Sequence, residues 1–195
     1  MRDDVAFLRM IEASPAMNQE LSRLADFDVA DRPADFGCPV RLSCGFPLQI
    51  IAADGAGGAF FLVGAGGASR PVLYADSEGN AGVVGPDLAT ALATLIALPN
   101  WHDLLGFSRG GDLSEMRRAS MWLADGLHRD FPDLDTAGPR LLEELGLAAI
   151  DDPVAVLWTS VHSTEPDYVL LDDDDQGDAW DSLFQPWTID RLVKP

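Results

Sequence analysis

The sequence predicts an α+β fold: one domain over residues 1–195 in which a central antiparallel or mixed sheet is flanked by helices. Three observations carry this. The chain has 195 residues, within the roughly 100–200 of a single domain. Apolar residues fall at helical spacing near the start, form short runs between glycine-rich turns over 48–84, and return to helical spacing from residue 86. The turns of the middle stretch are too short for the crossovers that parallel strands need, so those strands pair as an antiparallel meander.

The elements follow in order. Val5 to Ile11 reads as a short amphipathic helix. Ser14 is an N-cap with Pro15 at the first helical position, opening a helix to about Ala25 with Met17, Leu21 and Leu24 on one face. Residues 26–39, with Pro33, Gly37 and Pro39, form a connection. Strands are expected at 48–52, 59–63, 71–75 and 81–84, joined by turns at 54–58, 64–69 and 76–80. Pro86-Asp87 opens a helix bearing Leu88, Leu92, Leu95 and Ile96, and Pro99 ends it. Asn100 is expected to cap a turn carrying Trp101, Leu104 and Leu105. Asp112 and Glu115 have capping-box spacing before a helix from Leu113 to about Arg129, with Met116, Ser120, Leu123 and Leu127 as its stripe. A short helix is expected from Pro139 to Leu145 with Gly146 just past its end. Residues 153–162 suit a helix after Asp152 or a strand, and Tyr168 to Leu171 a strand.

Charge excludes some functions. The chain has 32 acids, 13 bases and a net charge of −19. Phosphate binding needs a Lys/Arg surface, so no nucleic-acid partner is expected, nor an anionic membrane. No apolar run approaches the ~18 residues of a membrane span, and the start, Met-Arg-Asp-Asp, lacks a signal core. A cytoplasmic protein is expected. Residues 151–195 carry 11 acids against 2 bases, about half of the net charge, including the run Asp172-Asp173-Asp174-Asp175.

The search for chemistry is short. Cys38 and Cys44 are expected to be free thiols, too few for a disulfide framework or zinc site. Gly106-Phe107-Ser108-Arg109-Gly110 fits G-x-S-x-G, but a nucleophile elbow needs a strand before the serine, and a helical turn is expected there. A small serine hydrolase using Ser108, with Asp133 and His162 following, stands as an alternative only. The acidic run matches a calcium loop at Asp172, Asp174 and Gly177 but has Leu183 where the bidentate glutamate belongs. His102, His128 and His162 have no ligand at short metal spacing. No catalytic residue, no metal and no cofactor are therefore expected.

Residues 47–107 carry a resemblance. An apolar strand leads into Asp54-Gly55-Ala56-Gly57-Gly58, then the aromatic strand Ala59-Phe60-Phe61, then Val72-Leu73-Tyr74, the acidic turn Asp76-Ser77-Glu78-Gly79, and a helix ending near Trp101. This order resembles the SUKH superfamily (SMI1/KNR4-like) and covers about a third of the chain. The resemblance implies an SMI1/KNR4-like core at roughly 40–107, a helical extension at 108–165 and an acidic segment at 166–195. It implies a non-enzymatic protein-binding domain. Bacterial members are mostly immunity proteins against polymorphic toxins; others, chiefly fungal, are regulatory scaffolds. Asp54, Gly55, Gly57 and Gly58 match the hairpin motif and are read as structural. The expected partner is a basic protein such as a nuclease-type toxin domain, since complementary charge speeds encounter. Asp76, Glu78, Trp101, Asp172 and Asp174 are the candidate partner-binding residues, with a housekeeping scaffold of the same fold as the alternative.

Overall fold

The computed structural model describes residues 4–66, 69–130, 132–174 and 176–191. It is α+β. Among the described residues there are seven α-helices, a five-stranded sheet and a two-stranded sheet.

Helices α1 (Asp4–Glu12) and α2 (Pro15–Ala25) come first. The Ser14 hydroxyl accepts from the Met17 N–H, as an N-cap should. The short strand β1 (Val40–Leu42) follows. The meander is β2 (Leu48–Ala53), β3 (Ala59–Val63), β4 (Val72–Ala75) and β5 (Asn80–Gly85), every neighbouring pair antiparallel. Then come α3 (Leu88–Ala97), α4 (Trp101–Gly106), α5 (Leu113–Asp130), α6 (Leu134–Leu145) and α7 (Pro153–His162). Strands β6 (Leu170–Asp172) and β7 (Asp181–Ser182) lie in the acidic segment.

Period 2 along β3 sorts its run of apolar residues onto two faces. Phe60 and Leu62 join the larger core with Leu21 and Leu24 of α2, Leu92 and Ile96 of α3, and Trp101. Phe61 and Val63 join a second core with Leu42 of β1 and Leu170 of β6. The sheet is thus buried on both sides, by helices on one and by the β1–β6 pair on the other.

Several expectations change. The connection over 26–39 leads into β1, and the strand expected at Tyr168–Leu171 pairs with β1 rather than with the meander. The pairing is nonlocal, so no local turn signals it. The main sheet is mixed, as the expected antiparallel or mixed arrangement allows: strand β7 runs parallel to β5, with Asn80 opposite Asp181. Asn100 makes no capping bond from its side chain. Helix α6 starts at Leu134 rather than Pro139, because the Thr136 and Ala137 N–H groups already turn back onto the Asp133 carbonyl. Asp112 caps α5 through Ser114 and Glu115, but the Glu115 carboxylate turns to Arg118 and not back to the cap. The stripe on α5 is buried only at Met116, with Leu123 half-buried against the core, and the neighbouring Met121 and Trp122 are 73% and 43% exposed. Residues 153–162 are helical, capped by Asp152.

Candidate functional site

Two carboxylates and a histidine converge on the rim where the β2–β3 hairpin, the end of α2 and the start of α4 meet. Asp54 is only 5% exposed. One of its carboxylate oxygens accepts from the Ala56 and Gly58 N–H groups, at 2.8 and 2.7 Å. The other accepts from the buried Tyr74 hydroxyl. Gly58 sits hard against this network: a Cβ there would lie 2.6 Å from both Asp54 Oδ2 and the Tyr74 hydroxyl and 2.8 Å from the Ala75 carbonyl. Any side chain would push the network apart, which explains the glycine.

Asp26 ends α2 in the left-handed region, at φ 52°. One carboxylate oxygen accepts from the Gly55 N–H at 3.1 Å and the other lies 3.3 Å from His102 Nε2. The His102 ring stacks on Trp101, centroids 3.5 Å apart. The hydrogen bond with His102 is the main reason that the Asp26 carboxyl is held below the usual range; Gly55 adds to it and burial opposes it. The Tyr74 phenol is pushed well upward, first by burial, then by its bond to Asp54 and by the charges of Asp54, Asp76 and Asp26. Two carboxylates, an imidazole and a phenol thus share one small volume. Such a set can hold a cation or fix a partner's basic group.

Beside it opens a cleft of about 200 Å³, lined among others by Tyr74, Asp76, Glu78, His102, Gln185 and Trp187. The acidic segment folds back to build its far wall. The Asp181 N–H donates to the Gly79 carbonyl, and the Gln185 amide donates to Asn80 Oδ1.

Of the predicted partner-binding residues, three meet here. Asp76 and Glu78 line the cleft, although Asp76 also closes its own turn by accepting from Glu78 and Asn80. Trp101 touches the cleft but is a core residue, fully buried, its indole N–H donating to the Ala25 carbonyl. It offers a partner no free side chain. Asp172 accepts from the Trp180 indole N–H, and Asp174 closes a turn by accepting from Gln176 and Gly177. Neither lines the cleft. Asp175 lies outside the described residues. Among the described residues the acidic run gathers no ligand set of its own, and Leu183 is buried instead of reaching toward it.

Ser108 lies in the turn between α4 and α5, buried, and its hydroxyl donates to the Gln185 carbonyl at 3.1 Å. A helix precedes it, not the strand of a nucleophile elbow. The neighbouring N–H groups of Arg109 and Gly110 donate to the Trp187 and Gln185 carbonyls. The G-x-S-x-G stretch is therefore a clip for the C-terminal segment. Cys38 and Cys44 are free thiols.

Sequence reasoning missed Asp26 and His102. They lie far apart in the chain, and no short-range spacing links them to Asp54. Neither carries a local signal, and the left-handed backbone at Asp26 is visible only in the structure.

No protein-family model matches the chain, and no curated protein or solved structure is detectably similar to it. No helix among the described residues is long and apolar enough to cross a membrane.

Proposed function

We propose that the chain is a non-enzymatic protein-binding domain of the SUKH type, an immunity protein that neutralises a basic, nuclease-type toxin. One observation carries the proposal. The rim cleft presents Asp76 and Glu78 beside Trp187, which is 40% exposed, and no Arg or Lys among the described residues lines it. A carboxylate pair next to an exposed indole suits an arginine side chain, which can pair with the acids and lie on the ring. Aromatic and charged anchors of this kind carry most of the affinity in protein interfaces. The wider acidity would raise the encounter rate with a basic partner.

The test is co-purification at low salt with a candidate basic, nuclease-type toxin domain, any encoded beside this chain's gene being taken first, with nuclease activity as the second readout. A stable complex and suppressed cleavage are expected. The variant Asp76→Asn/Glu78→Gln/Trp187→Ala should speed dissociation at least tenfold. Neutralising Asp172, Asp173 and Asp174 should slow association and steepen nothing else. Absence of a complex, with uninhibited nuclease, would overturn the proposal.

A further inference from the structure

We infer that Asp26, Asp54 and His102 form a divalent-metal site of the zinc type at the rim of the sheet. One donor atom from each lies within 4.8 Å of the other two. The three come from different places: the end of α2, the residue after β2 and the first turn of α4. Bonds of about 2.0–2.2 Å in a tetrahedral zinc site place the ligand atoms roughly 3.3–3.6 Å apart. The separation between Asp26 Oδ2 and His102 Nε2 is already 3.3 Å. The remaining edges are at most 4.8 Å.

The surroundings fit a cation. Among the described residues, neither Asp26 nor Asp54 has an Arg or Lys partner, and Asp54 is nearly fully buried. A buried carboxylate without a cation is costly. Asp76 adds further negative charge, lining the adjoining cleft together with Tyr74 and His102. A cation between Asp26 and Asp54 removes that imbalance. The outer groups are in place as well. Tyr74, Ala56 and Gly58 orient Asp54, and Trp101 fixes the plane of the His102 ring. Partners of this kind set the orientation of metal ligands. The Asp26 and His102 side chains are 38% and 41% exposed, so an ion can enter and water can complete its shell. Two carboxylates and one imidazole suit zinc, with manganese and ferrous iron weaker. They do not suit calcium, which wants six to eight oxygens.

The experiment is a calorimetric titration of the chelator-treated full chain with zinc chloride. One ion per chain is expected, at micromolar affinity or tighter. His102→Ala and Asp26→Asn should each weaken binding at least tenfold. The Cys38→Ser/Cys44→Ser variant and His128→Ala should bind as the parent does. If Asp26→Asn does not fold by circular dichroism, His102→Ala alone decides. A flat titration overturns the inference, as does binding that survives His102→Ala or disappears with the cysteines. None of these outcomes depends on a protein partner.

Discussion

Two loops of this chain are built on an aspartate in nearly the same way, and they have opposite fates. Asp54 accepts from the N–H groups two and four residues on, and Asp174 from those two and three residues on. Both use the short side chain to imitate a backbone turn. Asp54 is then sealed against Tyr74 and Ala75. Asp174 stands in water, and its loop is tied back by the Asp172 N–H bond to the Asp178 carbonyl and by Arg41 at 3.5 Å from Asp173. Around Asp174, water can replace every lost bond. Around Asp54 it cannot, so the same turn chemistry becomes part of the core.

The sharpest way to break the contrast is to remove the two carboxylates. Asp54→Ala strands the Tyr74 hydroxyl and two N–H groups, at about 1–3 kcal/mol for each group left unsatisfied in the interior, not fully additive. A loss of about 3 kcal/mol in urea unfolding is expected. Gly58→Ala should follow at about 2 kcal/mol, the usual range for forcing extra volume into a packed site, because its Cβ has no room. Tyr74→Phe should cost about 1.5 kcal/mol, the lower end of the scale for one hydrogen bond to a charged acceptor. A double-mutant cycle of Asp54→Ala with Tyr74→Phe should show the two losses to be shared. Additive losses would mean that the hydroxyl and carboxylate do not act together.

The comparison also explains what could be read in advance. The meander and the cap at Ser14 follow from spacing and local chemistry, and the structure has them, whereas residues 153–162 suit helix and strand alike and only the structure makes them a helix capped by Asp152. The hairpin glycines were legible as a turn. What was hidden is which turns are buried, because burial is decided by residues far away in the chain. Trp101 looked available on a loop rim, yet Ala25 and Tyr74 enclose it. Likewise β1 with β6, and β7 with β5, join segments more than 95 residues apart, by bonds that a three-residue or two-residue strand does not advertise. The rim cluster of Asp26, Asp54 and His102 is the extreme case: Asp54 reads as a turn residue, and nothing joins Asp26 and His102 to it until α2, the hairpin and α4 are docked.

Acid should separate the same two loops by a smaller margin. The Asp26 carboxyl, beside the Asp54 loop, is held low mainly by His102; that of Asp174 is held low by the Gly177 and Gln176 N–H groups. A carboxyl lowered on folding contributes stability that is complete above its unfolded value of about 3.9. That contribution disappears as pH falls through the lower, folded value. Asp26→Asn should therefore unfold more readily than the parent at pH 6 and match it more closely near pH 2, with the difference closing below pH 4. Its size is limited because Asp26 is over a third exposed and screened by water. Asp174→Asn should track the parent across the whole range in thermal melts, because the carboxylate is exposed and water takes over its bonds. If instead Asp174→Asn closed the gap with pH as Asp26→Asn does, the Asp174 carboxylate would hold its turn much as Asp54 holds its own, and the distinction between the two loops would fall.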